Sequence, residues 1–196
     1  MKITCKKSEL SPALLSLCRV APSRTNLPIL TGCLLTAKDQ ILTMQCTDLE
    51  LSLKIIIPVQ VEEEGSTVVL AKHFSDLVRR LPGDQVSLSW AEKNQLLEMS
   101  YGSATSNLYT WEAAEFPLTE QKTVENKINF QGSKWKRLIS KVLTAAAQQD
   151  VRINYAGVYE RFESEKIHMA ATDAYRLAFI KIPNTSGIVD CDLFIP

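Results

Sequence analysis

Residues 1–58 lie over residues 126–183 without a gap, at a constant offset of 125. Only 11 of the 58 positions are identical, among them Lys2/Lys127, Ile3/Ile128, Ser8/Ser133, Gly32/Gly157, Met44/Met169, Thr47-Asp48/Thr172-Asp173 and Pro58/Pro183. The apolar pattern agrees more widely, with Leu10 on Trp135, Leu14 on Ile139 and Leu17 on Val142. A pattern shared at one fixed offset means two copies of one structural unit. The second copy reaches Pro196, the counterpart of Ala71, so the sequence is expected to stop partway through its second unit.

Within each copy the hydrophobic period changes in the same order. Ile3 and Cys5 alternate as a short strand, Ser8 reads as an N-cap, and Leu10, Leu14, Leu17 and Cys18 recur at helical spacing. Strand-like runs follow over 29–37, 41–47 and 49–59, with a turn at Lys38-Asp39-Gln40, and Glu62-Glu63-Glu64-Gly65 reads as a solvated connector. The order then returns: a strand at 67–70, a helix over 72–81 with Phe74, Leu77, Val78 and Leu81 on one face, and strands at 86–90, 96–101 and 105–109. The expected fold is therefore α+β, built from repeated β-α-β-β-β units. A first domain spans 1–117, a polar linker 118–126, and an incomplete second domain 127–196. In the second, Ser133 caps a helix reaching Gln149, strands cover 154–162, 167–171 and 175–182, and 190–195 reads as the first strand of a further unit.

The 196 residues carry 22 basic and 22 acidic side chains, so net charge decides nothing and its distribution matters more. Residues 133–149 hold Lys134, Lys136, Arg137 and Lys141 with no acid, and 72–81 hold Lys72, His73, Arg79 and Arg80 against Asp76. The acids gather elsewhere, at Glu62–Glu64, Glu112, Glu115, Glu120, Glu125, Glu160, Glu163 and Glu165. A basic helical face opposite an acidic one would attract a polyanion without reading its sequence, although lysines on a solvated helix face give the same composition. The repeat favours the first reading, since helices in equivalent positions of both units are basic. Trp90, Trp135, Phe74 and Phe179 sit at apolar-face positions and read as core, which argues against a base-stacking platform.

Catalytic patterns do not emerge. There is no GxGxxG, no GxxxxGK[ST] and no GxSxG, and the two histidines, His73 and His168, belong to no metal-like cluster. The repeated Thr-Asp pair lies at a strand reversal, where an aspartate holds a turn through backbone amides. The chain reads as a non-enzyme with no cofactor. Five cysteines, an odd number with no CxxC spacing, read as reduced thiols. Met1-Lys2 runs straight into a strand, and no apolar run approaches the roughly 20 residues of a membrane span, so a soluble cytoplasmic protein is expected.

Several motifs together resemble the bacterial DNA polymerase III beta subunit family, the sliding clamps. They are Arg24-Thr25-Asn26-Leu27-Pro28-Ile29-Leu30, Thr47-Asp48-Leu49-Glu50, Ala71-Lys72 to Leu81 with Pro82, Ala114-Glu115-Phe116-Pro117, Gln149-Asp150-Val151-Arg152 with Gly157, and Thr172-Asp173-Ala174-Tyr175-Arg176-Leu177-Ala178. The resemblance covers Met1 to Pro196. It implies a DNA-clamp fold with antiparallel sheets outside and helices inside, in a homodimeric ring around duplex DNA. That ring would be a DNA replication processivity factor, tethering the polymerase III catalytic subunit and meeting the clamp loader. It implies DNA contacts by Arg24 and Gln149, to which helix placement adds Lys72, Arg79, Arg80, Lys134, Lys136, Arg137 and Lys141. It implies half of a partner-peptide pocket from Arg152, Tyr155, Thr172, Ala174, Tyr175, Arg176 and Leu177, with alanine and tyrosine where the family has glycine and histidine. The dimer contact would use the strand at 105–109, with Leu108 as its apolar residue. The alternative is a truncated, clamp-like protein-interaction module that does not enclose DNA.

Overall fold

The structure is a computed structural model describing residues 1–91, 93, 95–117, 131–148, 155–185 and 191–196. Two compact units divide the chain, Met1–Glu120 and Gln121–Pro196. The expected linker at 118–126 and the strand residues 128–130 lie outside the described residues.

Unit 1 runs β1 (Lys2–Lys6), α1 (Lys7–Leu17), a 3-10 turn at Pro28–Thr31, β2 (Gly32–Lys38), β3 (Ile41–Thr47), β4 (Ser52–Pro58) and β5 (Gln60–Glu63). It continues through β6 (Gly65–Leu70), α2 (Ala71–Arg80), β7 (Gln85–Ala91), β8 (Leu96–Tyr101) and β9 (Ala104–Trp111). The nine strands make one sheet in the order β4-β3-β2-β6-β9-β8-β7-β1-β5. Alternation sends Ile3, Cys5, Cys33, Leu35, Leu42, Met44, Cys46, Val86, Leu88, Leu97 and Met99 to a single face. Both helices cover that face, α1 with Leu10, Leu14 and Leu17, and α2 with Phe74 and Val78. The cations of α2 are thereby left on its outer side.

The two halves of unit 1 exchange their first strands. β1 pairs with β7 of the second half, and β6 pairs with β2 of the first. The sheet ends come together at a seam. The chain leaves β4 at Pro58, and after Val59 the strand that had paired with β3 pairs with β1. Gln40 bridges this seam: its side-chain Nε2 donates to the Val61 carbonyl (3.2 Å), its Oε1 accepts from the Val61 N–H (3.0 Å), and its own carbonyl accepts from Val59 (3.0 Å). Gln40 reaches this position because Asp39 and Gln40, at φ 50° and 59°, form the two-residue primed turn of the β2–β3 hairpin. The expectation of a solvated connector at Glu62–Glu64 is corrected here. Glu62 and Glu63 belong to β5, with Glu62 paired to Lys2 at 2.7 Å. The strands expected from 29 and 49 start later, because a 3-10 turn and the Thr47–Leu51 reversal occupy their first residues.

Helix capping also differs from expectation. Ser8 lies inside α1, which begins at Lys7 without a side-chain cap from its own N-cap residue. Asp84, far along the chain, caps it instead: Oδ1 accepts from the Ser8 N–H at 2.8 Å, and the Asp84 carbonyl accepts from the Lys7 N–H at 2.6 Å.

Unit 2 carries α3 (Gly132–Val142), a 3-10 turn at Leu143–Ala145, β10 (Val158–Phe162), β11 (Lys166–Thr172), β12 (Leu177–Pro183) and β13 (Cys191–Ile195). Its sheet runs β12-β11-β10-β13. Shifted by 125, the bounds of α3, β11 and β12 coincide with those of α1, β3 and β4. The registers follow: Tyr159 faces Ala170 as Leu34 faces Gln45, and Lys166 faces Pro183 as Ile41 faces Pro58. Ser133 lies inside α3 and does not cap it, and the helix ends at Val142, short of the expected Gln149. Gly32 and Gly157 are both required by close approach. A Cβ at Gly32 would lie 2.4 Å from Val68 Cγ1, and one at Gly157 would lie 2.3 Å from the Ile195 carbonyl oxygen.

Two side chains sit where the pattern did not put them. Phe179, expected in the core, is 54% exposed on the outer face, its ring edge-on to His168 with centroids 5.5 Å apart. Glu160, expected among the solvated acids, is buried in β10 between Val158 and Phe162. Its Oε1 has no hydrogen-bond partner among the described residues, and burial pushes its carboxyl up to about 7.

Candidate nucleic-acid interface

α3 turns Leu138 and Val142 into the core of unit 2, with Trp135 and Ile139 packed beside them. Lys134, Lys136, Arg137 and Lys141 are exposed on its remaining surface. This arrangement works against the helix itself. Lys134 stands in the first turn, at the positive end of the dipole, with no acidic residue and no side-chain cap. Lys134 and Arg137 are three apart, and Arg137 and Lys141 four apart, so like charges face one another along one stripe. Each such placement costs a few tenths of a kcal/mol in an isolated helix.

α2 is gentler to itself. Arg79 and Arg80 stand in its last turn, where they complement the dipole, and Arg79 reaches Asp76 at 3.4 Å. Of the seven helix cations, only Arg79 has a carboxylate within ion-pair distance among the described residues. Lys72 and His73 are exposed at the start of α2. They line a cavity of about 390 Å³ with Ser23, the residue before Arg24, so unit 1 brings the Arg24 segment to the basic helix. The expectation that the basic helices hold equivalent positions needs correcting. At offset 125, α3 corresponds to α1, whose only cation is Lys7, and α2 shares with α3 only its place in the β-α-β-β-β order.

The Thr-Asp turns are alike in both units. Asp48 Oδ1 accepts from Glu50 and Leu51 N–H at 3.0 and 2.7 Å, while Asp173 Oδ1 accepts from Tyr175 and Arg176 N–H at 3.0 and 2.9 Å. Thr47 Oγ1 donates to the Leu51 carbonyl as Thr172 Oγ1 does to that of Arg176. Leu49 and Ala174 take the left-handed conformation, at φ 79° and 75°. In unit 2 the turn also fixes Arg176, whose Nε lies 2.9 Å from Asp173 Oδ2. The backbone amides of Arg176 and Tyr175, that of Arg176 foremost, hold the Asp173 carboxyl below its ordinary value. The turn presents Tyr175 at 97% and Leu177 at 68% exposure, with Ala174 and Arg176 also exposed and Thr172 half-buried. Tyr155 is half-buried before β10. Gln149 and Arg152 lie outside the described residues. The Asp173–Arg176 pair has no counterpart in unit 1, where Leu51 stands at the position of Arg176, so the repeated Thr-Asp does not reveal it.

Leu108 faces Leu97 across β8 and β9 and is buried at 8% exposure. It nonetheless lines a cavity of about 340 Å³ with His73, Asp76, Leu77 and Arg80. The exposed hydrophobic residue of the strand is Tyr109. β9 pairs with β8 from Ala104 to Tyr109 but with β6 only at Thr110 and Trp111, so the other edge of 104–109 is unpaired among the described residues.

Among the described residues no group of three or more His, Cys, Asp or Glu side chains could hold a metal ion, and no helix is long and apolar enough to cross a membrane.

This geometry has close counterparts. The beta sliding clamp of Staphylococcus epidermidis is 30% identical over 204 residues, covering 100% of this chain and 54% of the relative. That of Synechococcus elongatus is 29% identical over 189 residues, covering 95% of this chain and 50% of the relative. The chain thus spans about half the length of the curated relatives it matches. Among solved structures, a Pseudomonas aeruginosa sliding clamp bound to griselimycin superposes with a TM-score of 0.91 at 28% identity, covering 100% of this chain and 53% of that one. A Caulobacter crescentus beta sliding clamp gives 0.93 at 27%, covering 100% and 54%. Residues 1–120 match the family model of the DNA polymerase III beta subunit N-terminal domain and residues 129–196 that of its central domain, so the chain belongs to the DNA polymerase III beta subunit family.

Proposed function

We propose that the chain supplies the amino-terminal part of a DNA sliding clamp, a non-catalytic replication factor that encircles duplex DNA and tethers the replicative polymerase. The observation that carries this reading is the self-repelling cationic stripe of α3, whose repulsion a bound polyanion would relieve. Sequence-blind phosphate contacts hold the duplex while allowing it to slide, and the cations at Lys72, Arg79, Arg80, Lys134, Lys136, Arg137 and Lys141, with Arg24 and Gln149, make those contacts. The turn from Thr172 to Leu177, with Arg152 and Tyr155, forms one side of a pocket for peptides of the polymerase and the clamp loader. The unpaired edge of β9 joins a second copy in the ring, with Leu108 and its cavity beneath the joint. The Staphylococcus and Synechococcus relatives are both named sliding clamps, which does not favour the reading as an interaction module that leaves DNA unenclosed.

The test is a salt titration of duplex binding by the whole chain, read by fluorescence anisotropy. Affinity should fall with salt and show no preference among duplex sequences. Arg137→Ala with Lys141→Ala should lower the slope of log K against log salt by about 2, near one for each phosphate no longer neutralised. An unchanged slope, or a strong preference for one sequence, would sink the reading.

A further inference from the structure

Three cysteines lie in or against the core of unit 1, two on β2 and β3 and one at the end of α1. The two-residue turn at Asp39-Gln40 makes Lys38 and Ile41 a hydrogen-bonded pair, and alternation from there places each inward pair of β2 and β3 in the non-bonded class. The bonded register ends at Leu34 opposite Gln45, and continued by one residue it sets Cys33 opposite Cys46 in that class. Both are fully buried in the core cluster, where the Cys33 thiol donates to the Leu34 carbonyl (3.8 Å) and the Cys46 thiol to the Gly32 carbonyl (3.5 Å). Non-bonded pairs bring Cα atoms to about 4.5 Å, within the range a disulfide needs, while the Cβ atoms must close by a fraction of an ångström to about 1 Å. Cys18, at the end of α1, packs against the same cluster. It is only partly buried and lines the solvent-open cavity of about 390 Å³ beside Lys72 and His73. All five cysteines are free thiols.

We propose that Cys18, Cys33 and Cys46 form an oxidative modification site, in which a hydroperoxide enters at Cys18 and leaves a Cys33–Cys46 disulfide across β2 and β3. The Cys18 thiolate attacks the peroxide, an S–O bond forms, the O–O bond breaks, and the leaving oxygen departs as water or an alcohol. Cys46 attacks the resulting sulfenic sulfur, forming an S–S bond and expelling the hydroxyl, which leaves as water with the thiol proton. Cys33 then attacks the Cys46 sulfur and releases Cys18 as a thiol, which takes the last proton. Two thiols are oxidised, one hydroperoxide is reduced, and Cys18 is regenerated. Burial raises the Cys18 thiol, with Ser75 and Lys72 opposing that rise, so the site responds slowly.

Trypsin separates the three residues onto peptides 8–19, 25–38 and 39–54. The whole chain is treated with hydrogen peroxide, quenched by alkylation and mapped without reduction, with Cys5 and Cys191 as internal controls. The expected product is peptide 25–38 linked to 39–54, two hydrogens lighter than the free pair. Cys18→Ala should slow its appearance at least tenfold, and Cys33→Ala should trap 8–19 linked to 39–54. The proposal is overturned if the wild-type chain accumulates a lasting bond to Cys18, if Cys18 proceeds to sulfinic acid with no linked peptide, or if Cys18→Ala leaves the rate unchanged. The wild-type map needs no variant, so it decides the question even where a substitution in the core lowers stability.

Discussion

Leu35 and Glu160 stand at the same position of the two units, each in the middle of an inward-facing row, each with a methionine, Met44 or Met169, opposite it. Leu35 is an ordinary core residue. Glu160 is equally buried, yet it is a carboxylic acid with an oxygen left unpartnered among the described residues. The difference teaches that the offset of 125 preserves register, turns and strand bounds while leaving the core contents free to diverge. Backbone geometry is fixed by pairing along whole strands, whereas a core position answers only to its neighbours. Those neighbours differ: Leu35 pairs with the fully buried Thr67 of β6, but Glu160 pairs with the exposed Leu193 of β13.

The largest expected effect comes from exchanging these two residues. Leu35→Glu should destabilise unit 1 by about 4 kcal/mol or more at neutral pH, through loss of packing and burial of an acid. Glu160→Leu should stabilise unit 2, and the gain should depend on pH in a defined direction. The folded protein binds the Glu160 proton more tightly than the unfolded chain, so its contribution to stability falls as pH rises through the interval from the ordinary glutamate value to about 7. At pH 8 the gain from leucine should be roughly 3 kcal/mol or more, and at pH 4 only the packing difference should remain. Melting of wild type and variant at the two pH values checks this. A gain that does not shrink in acid would show that the buried acid is not what weakens the site.

A smaller effect should separate the two glycines. At Gly157 a methyl group would strike the backbone of β13 at 2.3 Å, and at Gly32 the Val68 side chain at 2.4 Å and, less closely, the Ile29 carbonyl at 2.9 Å. Both alanine variants should destabilise their units, by about 2–3 kcal/mol for Gly157→Ala and about 1–2 kcal/mol for Gly32→Ala, since a side chain yields more readily than a strand. Urea unfolding followed by amide exchange in β10 and in β2 would rank them. The smallest effect is expected at the left-handed turn positions. Ala174→Gly should stabilise unit 2 by about 1 kcal/mol, and Leu49→Gly should do less for unit 1, because it also removes a large side chain that is 58% exposed and so loses some apolar burial. Equal gains in the same exchange measurement would mean that Leu49 makes no contact of value.

Much of this architecture is legible in the amino-acid order. The offset shows that α3, β11 and β12 repeat α1, β3 and β4, though not where the helix ends, and the helical spacing of Leu10, Leu14 and Leu17 marks a buried face. The Thr-Asp pair foretells a turn held by backbone amides, as found twice. What escapes the sequence is long-range. Asp84 caps a helix 76 residues away, so no local motif reveals it. β5 reads as a solvated acidic connector because an edge strand exposes most of its side chains, and only its pairing with β1 makes it a strand. Glu160 alternates correctly with Val158 and Phe162, but a single acid in an apolar row is outvoted by composition. At the interface the basic helices are readable, while Leu108 is not: which side of β9 faces inward depends on its register with β8.

The exchange of first strands between the halves of unit 1 also sets a timetable. β1 emerges from the ribosome ahead of both its partners, β5 and β7, the latter ending at Ala91. At about 5–20 residues per second, some 60–90 residues of further synthesis leave this strand waiting roughly 3–18 seconds. During that interval Ile3 and Cys5, later among the most deeply buried side chains, have no sheet to enter. The nascent chain must therefore be shielded at β1 until the second half of the unit arrives, and neither half of the unit can mature ahead of the other.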